Sequence, residues 1–357
     1  TVLTRPALER DTLLGYQDVP FAALIVWAVL LEARRPKRGA PVLAVLAVAG
    51  LLRPEAWLLA GLYWLYLFPD RDWPSRIKLA LLVAIGPLVW FGMDLIVTGD
   101  ALHSLHGTAA LAETAGRRRQ VAQVPFWTAK YFGYVLREPL VIGVPLGLAF
   151  AYRQRLRGAV LPLAVAAAMV LVFAVNPVFG LPLIGRYVRT PSVLLTLFYG
   201  LAVCGWLLID RPGRERRAWQ AVAVVAVLAS VVYLPWHLKL LHGLVTRVDR
   251  NGQLYAGLRE TGQSPVVRAA ARRCGAIAAA DHRPVPYLRY WLGTDPGSVT
   301  TFEKGGGRRT KLLLFPRKVP VVRDFYRQNF PKARSPASYR VVYRNATWKL
   351  LAAPGCA

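Results

Sequence analysis

Apolar residues in this chain come in eight long blocks, at about 19–32, 41–52, 56–68, 79–97, 138–152, 159–175, 190–209 and 218–236. They do not form the one-sided stripe of a helix lying on a soluble core. A bilayer selects such blocks, because only helices and closed barrels satisfy every backbone polar group inside hydrocarbon. The expected class is therefore mainly α, a polytopic helical membrane protein of about eight membrane segments including a short hairpin. A content of 55% hydrophobic and 18% charged residues agrees. The net charge of +27 would suggest a nucleic-acid partner in a soluble chain. Here much of the basic excess sits in short clusters between apolar blocks, where membrane topology expects it, so nucleic acid is not an expected partner.

Four connections, Glu32–Gly39 ("EARRPKRG"), Pro69–Lys78 ("PDRDWPSRIK"), Arg153–Gly158 ("RQRLRG") and Asp210–Arg217 ("DRPGRERR"), are short and rich in Arg and Lys. The positive-inside rule places all four in the cytoplasm. Alternation then puts outside the stretch through Asp18, the tip Arg53–Glu55, residues 98–137 and 176–189, and everything after His237. The second and third blocks are only about 18 to 20 Å long as helices, against about 30 Å of hydrocarbon. They form a hairpin whose "RPE" tip hangs below the outer surface. An unpaired Arg and Glu at a bilayer centre would together cost roughly 5 to 7 kcal/mol. Pro54 opens the returning helix, Glu55 in its first turn suits the helix dipole, and Arg53, preceding a proline, leaves helical geometry. Two partners remain open for Arg53: Glu55, or an anionic group entering an outward cavity.

The chain starts at Thr1 without an initiator Met or basic leader, and reads as truncated at the front. Residues 1–236 form the membrane domain and 237–357 an external one, in a bacterial cytoplasmic membrane. The latter reads as a small α/β domain: "GAIAAADHRPVPYLRYWLG" as strand, turn and short helix, "RRTKLLLFPRK" as a strand, "VPVVRDFYRQNF" as a helix and "YRVVYRNATWKLLAA" as a closing hairpin. "EKGGGRRTK", 303–311, reads as a solvated turn, and "NAT" at 345–347 is a glycosylation triplet with no expected role in a bacterial chain. Cys204 lies in an apolar block and reads as packing, whereas Cys274 and Cys356 both fall in the polar region and can pair if it faces an oxidising exterior.

Outward-facing polar residues gather in four places. Asp18 stands before a membrane segment, as an ordinary helix N-cap or as a carboxylate at a cavity rim. Residues 97–120 carry Asp100, His103, His106 and the triplet Arg117–Arg119. The two histidines are three apart, but the spacing identifies no third metal ligand, so no metal site is assigned and a divalent cation stays only an option. "NPVFGLPLIGRYVRTPSVLL", 176–195, enters a helix with Arg186, Tyr187 and Arg189 at its outer end, which suits a phosphate or an interfacial anchor equally. The RPE tip is the fourth. No Gly-rich phosphate loop, nucleophile elbow, CxxC pair or HExxH occurs.

"TLLGYQDVPFAAL", "LAVAGLLRPEAWLL", "VTGDALHSLHGT" and "LPLIGRYVRTPSVLL" together resemble, in order and spacing, the GT-C class of membrane glycosyltransferases. Within it they look closest to bacterial relatives of protein O-mannosyltransferases and aminoarabinose transferases. The resemblance implies transfer of a sugar from a polyprenyl-phosphate donor to a protein, lipid or glycan hydroxyl on the outer face, with membrane lipids as neighbours. It assigns Asp18 the family's second acidic position and a catalytic role. Arg53, Arg186, Tyr187 and Arg189 fall to the donor phosphate, and Glu55, Asp100, His103 and His106 to the polar cavity. The principal catalytic acid of the family would lie upstream of Thr1. The alternative is a non-enzymatic polytopic protein, a lipid-linked-glycan transporter or a cell-envelope assembly scaffold.

Overall fold

The computed structural model describes residues 6–114, 120–301, 310–320, 322 and 336–356. Arg117–Arg119, the glycine-rich 303–309 and most of the helix expected over 319–330 lie outside the described residues. The chain divides into two compact units, 1–241 and 242–357.

In the first unit each apolar block lies in a helix. After α1 (Pro6–Leu13) come α2 (Asp18–Arg34), α3 (Ala40–Leu52), α4 (Glu55–Leu67), α5 (Trp73–Thr98), α6 (His103–Thr114), α7 (Val124–Arg153), α8 (Val160–Val175), α9 (Arg189–Cys204) and α10 (Arg214–Gln263). Five helical stretches have the length and apolarity to cross a membrane: 73–98, 121–153, 157–179, 185–208 and 214–263. The expected eight segments thus resolve into these five and three shorter helices, α2 of 17 residues and α3 and α4 of 13 each. This is the build of a multi-pass membrane protein. α5 turns large apolar side chains outward, with Ile96 81% exposed, as a helix facing lipid does.

α2, α3, α4 and the start of α5 share one apolar core with Ala166 and Met169 of α8 and Leu194 of α9. α7 and α9 meet through a second. Between hydrocarbon-solvated helices small residues at a spacing of four permit close approach, and α7 carries Gly143 and Gly147. A Cβ at Gly147 would lie 1.6 Å from the Phe198 carbonyl oxygen, and one at Gly143 2.2 Å from the Tyr199 ring. The helix breaks at Arg137 and Glu138, where the block read from the sequence begins.

Two sets of basic connections are tied at helix ends. Glu32, buried near the end of α2, accepts from the Tyr63 hydroxyl at 2.5 Å and the Lys37 amide at 2.7 Å. Lys37 pairs with Asp70, and Arg71 donates to the Lys37 carbonyl at 2.8 Å. Elsewhere Arg153 and Gln154 both donate to Glu215, at 2.6 and 3.0 Å.

α10 continues beyond the expected boundary at 236/237, and its last turns belong to the second unit. There α11 (Pro265–Cys274), β1 (Ile277–Ala279), α12 (Pro284–Leu292), β2 (Val299–Thr301), β3 (Leu312–Pro316), β4 (Arg340–Arg344) and β5 (Trp348–Ala352) follow. The sheet runs β2-β1-β3-β5-β4. β1 is parallel to β2 and β3, and β5 is antiparallel to β3 and β4. One face packs Leu312, Leu314 and Leu350 against Leu254, Leu258, Val267 and Leu288. β2 and α11 were not read from the sequence. Cys274 and Cys356 form a disulfide. Cys204 is exposed on α9, not packed inside.

The "NAT" triplet makes the turn between β4 and β5. Asn345 Oδ1 accepts from the Thr347 and Trp348 amides, while its Nδ2 donates to the Gly257 carbonyl at 2.8 Å and to Thr261 Oγ1 at 3.2 Å. A Cβ at Gly257 would fall 2.1 Å from Thr347 Oγ1, so this helix turn admits only glycine without a shift.

Candidate functional site

Five buried charges of the first unit, Asp11, Asp18, Arg53, Glu55 and Arg189, converge at one place, whereas Glu32 lies at the other end of α2. Arg53 ends α3 in extended backbone (φ −150°, ψ 133°), as a residue before proline must. Its guanidinium donates to Glu55, the first residue of α4, and to Asp18, the first residue of α2. Both carboxylates thus sit at helix N-termini, where the dipole favours negative charge. Gln17, which makes no side-chain cap hydrogen bond, occupies the cap position and Asp18 is the first helical residue, so the N-cap reading of Asp18 is corrected. The Arg53 guanidinium carbon lies 5.2 Å from the Phe21 ring centre and 5.0 Å from that of Tyr187, a cation–π enclosure.

Arg189 opens α9. A cation at a helix N-terminus is disfavoured by the dipole, and Asp11 of α1, fully buried, pairs with it. Arg189 Nη1 is also 3.8 Å from Asp18 Oδ2. Asp11 was not read from the sequence. The signal was the charge count, since Arg53, Arg186 and Arg189 outnumber Asp18 and Glu55. Arg10 Nη2 stands 3.4 Å from Asp11 Oδ1.

Asp18, Arg53 and Arg189 are 2%, 2% and 4% exposed. The guanidinium of Arg53 points into carboxylates, not into open space. Arg186 differs. Its side chain is 39% exposed, its Nε stands 4.0 Å from Asp18 Oδ1, and that Nε makes no hydrogen bond. The cluster sets Arg10, Arg53, Arg186 and Arg189 against Asp11, Asp18 and Glu55, four cations to three anions. The surplus positive charge is at its accessible side.

Asp100, His103 and His106 form a separate arrangement. Asp100 Oδ1 accepts from the Leu102 amide at 2.9 Å and Oδ2 lies 2.8 Å from His106 Nδ1, an exposed cap at the start of α6. The His106 hydrogen bond, then the Leu102 amide, holds the Asp100 carboxyl below its ordinary pKa of 3.8. Asp94, near the end of α5, accepts from the Ser104 amide and hydroxyl, both at 2.8 Å. Among the described residues no group of three or more His, Cys, Asp or Glu has metal-site geometry.

Comparison with family models, with characterised proteins and with solved structures gives no match.

Proposed function

We propose that the chain is a GT-C-type glycosyltransferase that moves a sugar from a polyprenyl-phosphate donor to a protein, lipid or glycan hydroxyl at the outer face of a bacterial cytoplasmic membrane. One observation carries the reading. Segments far apart in sequence bring Asp18, Arg53, Glu55, Arg186, Tyr187 and Arg189 together, with the cationic surplus on the partly exposed Arg186. A leaving phosphate gains negative charge as the glycosidic bond breaks, and a fixed guanidinium stabilises that charge more in the transition state than in the ground state. Arg186 takes this role. Arg53 and Arg189 hold Asp18, and Asp18 in turn orients Arg186. The cytoplasmic assignment of the basic connections and the outer placement of the second unit belong to the same reading. The Cys274–Cys356 disulfide supports it, since such bonds persist in oxidising compartments.

A second reading is favoured by the burial itself. A cluster whose carboxylates and arginines largely engage one another is also a sound structural lock for a scaffold or transporter. The test is transfer from a panel of polyprenyl-phosphate sugars in membranes containing the protein. Arg186→Ala should lower transfer roughly 10²- to 10³-fold with normal insertion, in the range of a lost transition-state donor. Unchanged transfer in both Arg186→Ala and Asp18→Asn would overturn the assigned site, and no transfer by the parent from any donor would leave the scaffold reading.

A further inference from the structure

The antiparallel pair β4–β5 at the edge of the second unit's sheet sets like charge against like charge. Arg344 on β4 lies opposite Lys349 on β5, and Lys349 lies opposite Phe315 on β3. The register shifts between Val341 and Tyr343. The extra residue puts Val341 and Arg344, three apart, on the same face as Lys349. Directly opposed like charges destabilise a strand pair, where almost any other pairing would be neutral or better.

Among the described residues neither Arg344 nor Lys349 meets a carboxylate. A third cation joins them. Arg317 follows β3, and its Nη1 donates to the Asn345 carbonyl at 2.7 Å, which fixes the guanidinium beside the hairpin turn. Arg317, Arg344 and Lys349 line one hollow of about 390 Å³ together with Val341, Val342 and Tyr343. Among the described residues no acidic residue lines it, and Glu260 accepts from the Tyr343 hydroxyl at 3.1 Å.

We propose that this hollow is an anion site of the second unit that takes a phosphate-bearing ligand. Its volume falls within the range of about 300 to 1,000 Å³ typical of small-ligand sites. Two guanidiniums and an ammonium supply the forked and point-charge donors that phosphate oxygens accept from. Val341, 52% exposed, offers an apolar wall for whatever carries the phosphate. The site belongs to the second unit and does not depend on the proposed transferase activity.

The test uses the full chain in nanodiscs of phosphatidylcholine, with inorganic phosphate as the probe and chloride at equal ionic strength as the control. Calorimetric titration should show a saturable phosphate site that weakens roughly tenfold or more in Arg344→Thr/Lys349→Thr, as loss of charge-assisted hydrogen bonds requires. Without phosphate the same double variant should unfold at a temperature no lower than the parent, because the repulsion is gone. Arg317→Gln, a single change that removes one guanidinium of the hollow together with its hydrogen bond to the Asn345 carbonyl, should weaken phosphate binding and covers the case of a double variant that fails to fold. Repeating the unfolding in phosphate-free buffer, with an equimolar mixture of phosphatidylcholine and phosphatidylglycerol, separates the sources. Stabilisation there that the variants lose assigns a lipid headgroup; stabilisation by inorganic phosphate alone assigns a soluble phosphate. Equal phosphate binding by parent and Arg317→Gln, or no binding of either probe by the parent, overturns the proposal.

Discussion

At the scale of single residues, the buried cluster of the first unit is a study in mutual dependence. Arg53 is the shared partner of Asp18 and Glu55. Removing one member of a buried ion pair leaves the other unpaired, which costs about 3 to 5 kcal/mol. Arg53→Ala should therefore lower the thermal unfolding temperature of the detergent-purified protein strongly, whereas Arg186→Ala should scarcely move it, since that side chain makes only a long ion pair. Differential scanning fluorimetry on the two variants decides the point. Asp100 offers a test in pH. Its carboxyl pKa is lowered in the fold, so its capping contribution is complete above 3.8 and is lost as pH falls through the lower folded value. Amide exchange in the first turn of α6 should accelerate in that window in the parent and be indifferent to it in Asp100→Asn.

At the scale of elements, the α7–α9 contact rests on two glycines. Gly147→Ala places a methyl where the Phe198 carbonyl oxygen now lies. The helices must separate, at about 1 to 3 kcal/mol by the usual cost of overpacking. A Cβ at Gly133 of the same helix meets nothing within 4 Å, so Gly133→Ala is the matched control and should leave the unfolding temperature no lower than the parent's, since alanine favours the helix. Much at this scale was legible in the sequence. Every apolar block became a helix, and "LLRPEAW" announced the α3–α4 hairpin because a proline after a non-helical arginine can hardly do otherwise. The partners were less legible. Arg53 was open between Glu55 and an external anion, and only tertiary packing brings Asp18 across 35 residues to settle its hydrogen bonds. Asp11 escaped because its helix is short and polar, and β2 and α11 because three strand residues and an Arg-rich helix carry little apolar signal. The continuation of α10 to Gln263 was missed for a related reason: hydropathy falls after His237 although helical periodicity does not.

At the scale of the whole molecule, the three cysteines report on compartment. Cys274 and Cys356 close a span of 82 residues. A covalent loop of that length stabilises its unit by roughly 2 to 4 kcal/mol. Alkylation of the protein extracted from membranes under denaturing, non-reducing conditions should modify Cys204 directly, and Cys274 and Cys356 only after reduction. Mass spectrometry of the labelled peptides reads all three together. Direct labelling of Cys274 would mean that the second unit resides in a reducing space, and would reverse the orientation proposed above.

The turn at Asn345 bears on how the protein is best produced. Both amide hydrogens of that side chain are engaged, one by the Gly257 carbonyl and one by Thr261. In a eukaryotic secretory host the triplet Asn345–Thr347 is an acceptor for an N-linked oligosaccharide. A sugar attached to Nδ2 would replace one of those hydrogens and crowd the helix turn at Gly257, where not even a methyl group fits. Carbohydrate added during translocation would arrive before the hairpin closes, so a bacterial host, or Asn345 left beyond the reach of the oligosaccharide machinery, is what keeps this corner of the sheet intact.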